Sequence, residues 1–246
     1  MSRLNHPNGS PTRPSVVVNM AASLDGKATT GSPAGVFFSS RQDKRRLLEI
    51  RAEADAVLIG ANTLRLDDPP LHIPHADLRK ARLAGGLPQV PLRGVVTASG
   101  RISPAAKIFA RQEPRALVFT TERIPGDLRH SLERIADVYI AGETRIAVRR
   151  VLAILKENYG VSRLLLEGGG ELNFSFLREG LVDEIYLTLC PMILGGREVP
   201  TVVGGEGFSP DNAVSAELIS SAQRGSELFL HYRVFPQEPS SQTNVE

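Results

Sequence analysis

The chain has 246 residues, of which 41% are hydrophobic and 23% are charged, as in an ordinary globular protein that can bury a substantial core. The net charge is only +2 and both signs are interspersed, which excludes a large basic face, so no nucleic-acid partner is expected. Cys190 is the only cysteine, which excludes an internal disulfide framework and a cysteine-rich zinc site and favours a reducing, cytoplasmic setting.

The two ends of the chain are polar. The opening stretch, MSRLNHPNGSPTRP, contains no apolar run that could serve as a secretory signal or a membrane span, so no membrane partner is expected. We expect residues 1–13 to form a flexible arm and residues 236–246 to form a flexible tail. No composition shift or internal repeat divides the remainder, and we expect residues 14–235 to fold as a single domain.

Short β-branched apolar runs alternate with longer amphipathic segments, which predicts alternating strands and helices. Ser40 is predicted to cap a helix at 40–54, in which Leu47, Leu48 and Ile50 lie among charged residues. Gly160 is predicted to end a second helix, at 145–159. In chain order, the predicted elements are a strand at 15–19, a helix at 40–54, strands at 56–59, 94–97, 116–120 and 138–140, a helix at 145–159, and strands at 163–166, 184–189 and 228–234.

This order predicts an α/β fold in which a mostly parallel sheet is covered by helices. The last third differs, because two predicted strands follow each other around a Gly/Pro-rich stretch without a clear helix between them. That arrangement predicts antiparallel strands at the edge of the sheet. The apolar strand at 184–189 is expected near this edge and is a candidate dimer surface.

Three consecutive glycines follow the predicted strand at 163–166, within the stretch LLLEGGGELNFSFL. Two interpretations stay open: a tight turn, or a loop whose backbone N–H groups approach a phosphate at the start of a helix. The stretch does not match G-x-G-x-x-G, and no G-K-[ST] follows, so a standard Rossmann domain and a P-loop are disfavoured. The chain also lacks the G-x-S-x-G elbow of serine hydrolases and the signature of zinc deaminases.

Two further segments lie where parallel strands are predicted to end. In NMAASLDGKATT, residues 19–30, Asp25 and Gly26 form a strong turn signal, and an aspartate in such a turn caps its own backbone more often than it does chemistry. In VLIGANTLRLDDPPL, residues 57–71, a buried strand ends at Gly60 and a polar loop follows. Ligands of open α/β sheets bind beyond such carboxyl ends, so this loop is a candidate binding segment.

Asp67 and Asp68 are adjacent carboxylates that could be considered as a metal pair. Neighbouring side chains do not face the same way, and no histidine or glutamate lies nearby in the sequence. A helix end followed by a rigid Pro69-Pro70 corner is the favoured interpretation, and no metal site is predicted.

Three stretches taken together identify a family. SLDGK at 23–27, IRAEADAVLIGANTLRLDDPPL at 50–71, and LLLEGGGELN…LVDEIYLTLCPMILGG up to residue 196 resemble the reductase family of riboflavin biosynthesis. The resemblance implies a dihydrofolate-reductase-like, three-layer α/β fold, a homodimer, and NADPH-dependent reduction of a ribosylamino-pyrimidine 5′-phosphate to its ribitylamino product. It also implies the stand-alone form of this reductase, without a preceding deaminase domain.

The same resemblance assigns cofactor-binding residues. The glycine loop is implied to cradle the NADPH pyrophosphate, and the polar loop after the second strand is implied to hold amide and ribose groups, with Arg101 as the partner of the 2′-phosphate. The residues assigned to NADPH are Gly60, Asn62, Thr63, Asp67, Arg101, Gly168, Gly169, Gly170, Glu171 and Leu172.

The remaining implied roles concern the substrate. Asp25, Lys27 or Glu167 is expected to assist protonation or polarisation of the acceptor carbon, because a protonated imine or carbonyl accepts hydride more readily. Arg51 is implied to contact the substrate phosphate, with a solvated helix arginine as the alternative, and Asn19 to hold the pyrimidine or the sugar. The residues assigned to the substrate are Asn19, Ser39, Arg51, Asp68 and Leu71.

The sequence departs from the family at two places. Pro74 stands where the family often has an arginine that contacts phosphate, and Thr97-Ala98 replace a more usual Asp-Ser before Arg101. Two alternatives therefore stay open: a reductase of the same fold and cofactor acting on a pterin or another carbonyl or imine compound, and a non-catalytic NADPH-binding protein.

Overall fold

The computed structural model describes residues 12–29, 39–111 and 113–235. Its strands are β1 (Ser15–Ser23), β2 (Ala56–Gly60), β3 (Leu92–Val96), β4 (Ala116–Thr120), β5 (Ala136–Ile140), β6 (Arg163–Leu166), β7 (Glu184–Cys190), β8 (Ala216–Arg224) and β9 (Glu227–Val234). Its α-helices are α1 (Arg41–Glu53), α2 (Ala61–Asp67), α3 (Ala76–Ala84), α4 (Gly126–Glu133), α5 (Val148–Tyr159) and α6 (Gly170–Arg178). Short 3-10 helices lie at Lys107–Phe109 and Pro210–Asn212. In these ranges no helix combines the length and the apolar character that crossing a bilayer requires.

The strands form one mixed sheet in the spatial order β5-β4-β3-β2-β6-β1-β7-β9-β8. Strands β1 to β7 pair in parallel, whereas β9 pairs antiparallel with β7 and with β8. The predicted fold class, a mostly parallel sheet with antiparallel strands at its C-terminal edge, is confirmed. This order brings the carboxyl ends of β1, β2 and β6 together at the centre of the sheet.

Helices cover both faces of the sheet and give the fold three layers. On one face, Leu155 of α5 and Phe176 of α6 belong to a buried cluster that includes alternate residues of the central strands. On the other face, Ile50 of α1 and Leu132 of α4 belong to a second cluster, which takes the intervening strand residues. The alternation of side chains along each strand therefore supplies both cores.

Two predicted helices are present with the expected end signals. The Ser40 hydroxyl accepts hydrogen bonds from the N–H groups of Gln42 and Asp43 and so caps α1. Gly160 ends α5 with a left-handed φ of 65°, which glycine adopts without steric cost. Helix α5 begins at residue 148 rather than 145, because the backbone of Ala147 is extended (φ −83°, ψ 94°) and its N–H donates to the carbonyl of Ala141.

The sequence patterns do not predict α2, α3, α4 and β8. The helices among them are short, with seven residues in α2, nine in α3 and eight in α4, so an amphipathic pattern has little length in which to repeat. Strand β8 is exposed along nearly its whole length, so no buried face imposes alternation on its sequence. Because β9 and β8 lie outside β7, the expectation that the strand at 184–189 lies near the sheet edge is wrong.

Arg13 belongs to the folded part of the chain, although the prediction counted it with the N-terminal arm. Its guanidinium donates hydrogen bonds to both carboxylate oxygens of Asp183, each at 2.8 Å. One of these oxygens also accepts the Val16 N–H at 2.7 Å, so Asp183 ties the start of β1 to the start of β7. Residues 1–11 of the predicted arm and the whole predicted tail, 236–246, lie outside the described residues.

Candidate active site

Backbone hydrogen bonds continue the pairing of β2 and β6 just beyond the strands. The Glu167 N–H donates to the carbonyl of Leu58 at 3.0 Å, and the Gly60 N–H donates to the carbonyl of Gly168 at 2.8 Å. These bonds hold the glycine loop, residues 168–170, at the carboxyl end of the sheet, where ligands of parallel sheets bind.

Close approach of neighbouring backbone and side-chain atoms explains two of the three glycines. A Cβ atom built on Gly170 would lie 2.7 Å from the carbonyl oxygen of Thr201 and 2.8 Å from the backbone nitrogen of Gly204. A Cβ atom on Gly169 would lie 3.3 Å from the hydroxyl oxygen of Thr63. Gly168 has a positive φ of 89°, and a cis peptide bond joins it to Gly169. The glycine loop is therefore packed closely from both sides.

Several backbone N–H groups of the glycine loop have no partner in the described part of the chain. The carbonyl of Gly169 accepts the N–H groups of Leu172 and Asn173, which begin the hydrogen bonding of α6. No hydrogen bond with the described residues is formed by the N–H groups of Gly169, Gly170 and Glu171. Unpaired N–H groups at the first turn of a helix are suited to anions.

A long connection, residues 191–205, lies against the glycine loop and is fixed to α6 by side chains. The Asn173 amide donates to the carbonyl of Val202 at 2.8 Å, and the Glu171 carboxylate accepts the Gly205 N–H at 2.8 Å. Glu171 therefore has one carboxylate oxygen bound to this connection. A contact of Glu171 with the cofactor, as predicted, would therefore use its other carboxylate oxygen or its backbone N–H.

Asp25 holds the other end of the 191–205 connection. Its carboxylate accepts the Ser23 hydroxyl at 2.6 Å and the N–H groups of Leu194 and Gly195 at 3.0 and 2.6 Å. The Ser23 hydroxyl and these backbone donors lower the pKa of Asp25 from 3.8 to about 2, because each favours the charged carboxylate. Asp25 is therefore ionised at neutral pH and is better suited to holding this connection than to donating a proton.

We expect Asp25→Asn to reduce turnover by the same factor at every pH between about 5 and 8, because the carboxylate does not titrate in that range. The folded-state pKa lies below the ordinary value, so the carboxylate stabilises the fold above pH 3.8 and loses this effect as the pH falls towards 2. The pH dependence of kcat and kcat/KM for both proteins is the measurement. A limb on which activity falls as the pH rises, present in the parent protein and absent from the variant, would show instead that Asp25 acts as an acid.

Lys27 lies between the Asp25 turn and the 191–205 connection. Its N–H donates to the Ser23 hydroxyl at 2.9 Å, and its carbonyl accepts the Ser23 N–H at 2.9 Å. The ammonium group donates one hydrogen bond, to the carbonyl of Val199 at 3.3 Å. An ammonium has three N–H donors, so two of them form no hydrogen bond with the described residues and can serve a ligand.

Arg51 and Glu167 form a buried ion pair. The Nε and Nη2 groups of Arg51 donate to the two oxygens of Glu167 at 2.7 and 2.6 Å, and both side chains are 8% exposed. Nη1 donates to the carbonyl of His72 at 2.6 Å. This bidentate pair satisfies most of both groups within the protein, so it favours a structural role, and the predicted substrate contacts of Arg51 and Glu167 stay predictions.

Asn19 lies in β1 beside this ion pair. Val18 pairs with Leu166, so the next residues, Asn19 and Glu167, follow on neighbouring strands. Asn19 is 8% exposed, and its side-chain amide forms no hydrogen bond with the residues that the structure describes. An amide with both donors and acceptors free is suited to a heterocycle or a sugar hydroxyl.

The start of α2 brings further predicted cofactor residues towards the loop after β3. The guanidinium of Arg65 bonds to the Asn62 side chain and donates to the carbonyl of Arg101 at 3.0 Å. Asp67, one helical turn after Thr63, has its pKa raised by desolvation. Thr63, Asn62 and Asp67 thus lie on one short helix that begins at the glycine loop.

Asp68 and Leu71 have structural partners. The Asp68 carboxylate accepts the Lys107 N–H at 2.9 Å, and the Leu71 side chain is fully buried in the core, so a substrate contact of Leu71 would have to use its backbone. Among the described residues, no three His, Cys, Asp or Glu side chains are grouped closely enough to hold a metal ion.

Ser39 is placed apart from the other predicted substrate residues. It lines a cavity of about 460 Å³ between the start of α1 and the β8–β9 turn, together with Arg41, Pro191 and Arg224. None of the other predicted site residues lines this cavity.

Sequence reasoning missed the role of the 191–205 connection. It is bound by Asp25, Lys27, Glu171 and Asn173 and so closes one side of the site. Its sequence has no helical or strand period, and the Gly/Pro-rich composition was the only signal that it differs from an ordinary link.

Comparison with known proteins gives a consistent result. The sequence model of the RibD C-terminal domain family matches residues 14–230. A 2,5-diamino-6-ribosylamino-4(3H)-pyrimidinone 5′-phosphate reductase of Archaeoglobus fulgidus is 39% identical over 80% of this chain and 89% of that protein. A protein of the same name from Methanothermobacter thermautotrophicus is 35% identical over 90% of this chain and 99% of that protein.

A solved structure shares the fold. A pyrimidine reductase-like protein from Corynebacterium diphtheriae superposes with a TM-score of 0.78, covering 91% of this chain and 93% of that chain. The two sequences are 20% identical, so this likeness supports the architecture and not the chemistry.

Proposed function

The chain belongs to the RibD C-terminal domain family, and we propose that it reduces the ribosyl group of a ribosylamino-pyrimidine 5′-phosphate to a ribityl group in riboflavin biosynthesis. The observation that carries this proposal is the similarity to two relatives that bear the name of this reductase, over most of their length. A reductase of this pathway implies a nicotinamide cofactor, and we propose that the cofactor is NADPH.

The glycine loop fits the diphosphate of such a cofactor. The N–H groups of Gly169, Gly170 and Glu171 have no partner among the described residues, and they lie at the first turn of α6, where the helix dipole favours negative charge. No side chain projects from positions 168 to 170, so the backbone can approach a ligand closely. Gly60 and Leu172 border this loop.

The polar residues after β2 fit the rest of the cofactor. The Thr63 hydroxyl lies beside Gly169, and the Asp67 carboxylate can accept hydrogen bonds from ribose or amide groups. We assign Arg101 to the 2′-phosphate, because a guanidinium fork matches a phosphate and would prefer NADPH to NADH.

The protein must also place the sugar and supply a proton, while the bound cofactor supplies the hydride. Of the three residues predicted to assist, Asp25 is ionised and Glu167 is held by Arg51, whereas the Lys27 ammonium donates a single hydrogen bond within the part of the chain that the structure describes. We therefore assign Lys27 to protonation or polarisation of the acceptor. Asn19 is assigned to the pyrimidine or the sugar.

We also propose that the protein acts as a homodimer in the cytoplasm. Leu218 and Ile219 of β8 and Leu228 of β9 are between 43% and 49% exposed, and they lie on the two strands at the open edge of the sheet. Burial of this edge against a second copy would protect both its apolar side chains and its unpaired backbone groups.

The test is oxidation of NADPH by purified protein, with the diamino and the amino-oxo ribosylamino-pyrimidine 5′-phosphates supplied separately. We expect turnover of at least one of them, slower turnover of the dephosphorylated sugar, and a preference for NADPH over NADH. Turnover of a pterin or another carbonyl compound instead would replace the substrate assignment. Cofactor binding without turnover of any of these compounds would favour the non-catalytic alternative.

A further inference from the structure

Residues 199–205, the end of the long connection, run between two groups assigned above. At one end of this segment, the Ala28 N–H donates to the carbonyl of Pro200 at 2.8 Å, and Lys27 pairs with Thr201 in an isolated antiparallel bridge. The Lys27 ammonium donates to a carbonyl of the same segment at 3.3 Å. The 199–205 segment therefore contacts both the backbone and the side chain of Lys27.

The other end of this segment packs against the start of α6. A Cβ atom on Gly204 would lie 2.8 Å from a carboxylate oxygen of Glu171, and one on Gly205 would lie 2.2 Å from the ring of Phe174. Both glycines therefore allow a close approach that a side chain would prevent. The segment thus reaches from Lys27 to the helix that begins at the glycine loop, and its position sets the placement of one relative to the other.

The 199–205 segment has little regular structure of its own. None of the helices and strands in the described part of the chain includes it, and its strand-like contact is the single bridge between Lys27 and Thr201. Gly205 has a positive φ of 77°, and glycine loses more conformational entropy on ordering than any other residue. The segment therefore depends on side chains of neighbouring elements to stay in one position.

Asn173 is a buried side chain that holds this segment. It is fully buried and lies on α6 among Leu172, Phe174 and Phe176, which are buried as well. Its Nδ2 donates to the carbonyl of Val202 at 2.8 Å, and its Oδ1 has no partner in the described part of the chain. Burying an amide costs free energy unless it is hydrogen-bonded, and an apolar side chain would suit these neighbours better. The bond to Val202 offsets part of this cost, so the amide serves the position of the connection.

We propose that Asn173 is a positioning residue, whose bond to Val202 sets where the 199–205 segment lies and thereby where the Lys27 ammonium stands beside the bound substrate. Asn173 has no exposed surface, so it acts through the connection and not by contact with the substrate. The role of Lys27 in protonation or polarisation rests on the proposed function, whereas the placement of the segment rests on its hydrogen bonds.

The test compares two variants of Asn173 with a matched control on the same helix. Asn173→Leu keeps the branched shape and fills the site with apolar atoms, and Asn173→Ala removes the amide without overpacking. Ser175→Ala is the control, because the Ser175 hydroxyl donates to the Glu171 carbonyl within α6, at 2.8 Å, and forms no hydrogen bond with the 199–205 segment. Each substitution is also combined with Lys27→Met. The measurements are kcat, KM for NADPH and for the pyrimidine, and amide hydrogen exchange by NMR.

We expect each Asn173 variant to lower kcat at least about tenfold, within the loss of about 100-fold that a misplacement of about 1 Å can cause. KM for NADPH should stay within about twofold of the parent value, because backbone bonds to β2 hold the glycine loop independently. In the Lys27→Met background the same substitutions should change kcat by less than about twofold, because residues that act through one contact are not additive.

The exchange measurement reports on the segment directly. The N–H groups of Ala28 and Gly205, which bond to Pro200 and Glu171, should exchange at least about tenfold faster in both Asn173 variants. The Glu167 N–H, which bonds to β2, should be unchanged. The Ser175→Ala control should match the parent protein in exchange and in kcat.

A purely structural role of Asn173 gives a different result. Its variants would then lower kcat by the same factor with and without Lys27, or lower the melting temperature and leave kcat unchanged. Either result, or unchanged exchange at Ala28 and Gly205, would overturn the proposal. If the parent protein turns over none of the pyrimidines, the proposed function fails, and the exchange of these two N–H groups still decides whether Asn173 positions the connection.

Discussion

Replacing Glu167 with alanine will lower the free energy of unfolding by about 3–5 kcal/mol, the usual cost of leaving one partner of a buried ion pair uncompensated. Arg51 is 8% exposed and donates to both oxygens of Glu167, so the variant would leave its charge buried beside an empty site. Arg51→Met should have a similar effect for the same reason. Urea unfolding followed by circular dichroism measures both changes.

The double variant Arg51→Met with Glu167→Leu separates a structural role from a role in binding. Apolar side chains of similar volume often replace a buried ion pair at little cost, so most of the lost stability should return. If turnover stays low while stability returns, the two residues also contact the substrate, as the family resemblance implies. A decrease of less than about 1 kcal/mol in the free energy of unfolding of each single variant would contradict a buried ion pair, because ion pairs exposed to solvent contribute that little.

Alanine at position 170 will displace the 191–205 connection and lower turnover by about 100-fold, the effect that a misplacement of about 1 Å can have on a positioned site. The added methyl group would meet backbone atoms of Thr201 and Gly204 at 2.7 and 2.8 Å, and neither can rotate away as a flexible side chain would. Overpacking of this kind costs about 1–3 kcal/mol, which exceeds the gain of about 1 kcal/mol in helix propensity.

Gly126→Ala is the matched control, because Gly126 is also the first residue of a helix and a Cβ there would meet nothing within 4 Å. It should be neutral or stabilise the protein by up to about 1 kcal/mol. Turnover, cofactor affinity and thermal unfolding are compared for both variants. Unchanged turnover and stability in Gly170→Ala would show that the connection adapts without cost and that close packing does not explain this glycine.

The sequence was sufficient to predict the architecture, because the main helices and strands carry local signals that are periodic. The amphipathic pattern of residues 145–159, the Ser40 cap and the apolar runs of the parallel strands each depend on local periodicity or end chemistry. Strand β8 was not predicted, because an exposed strand has no buried face that would impose alternation. Helix α3 was not predicted, because it is short and buries Arg82 as well as Leu78, so its buried face is not purely apolar.

The site was predictable only as a set of segments. The glycine loop, the turn at Asp25 and the start of α2 each carry a recognisable pattern at a strand end, so their convergence followed from the parallel sheet. The ionic state of Asp25 could not be predicted from the sequence, because it depends on N–H groups of Leu194 and Gly195, which are far away in the chain. The pairing of Arg51 with Glu167 likewise spans a separation that no local pattern encodes.

The most direct test of the central claim is to follow deuterium from the cofactor into the product. NADPH deuterated at both C4 positions of the nicotinamide is incubated with the protein and the ribosylamino-pyrimidine 5′-phosphate, and the product is examined by mass spectrometry and NMR. We predict a ribitylamino-pyrimidine 5′-phosphate with one deuterium on C1′ of the ribityl chain. A recovered ribosyl compound without deuterium, with NADPH bound but not consumed, would contradict the assignment of this chain as the reductase.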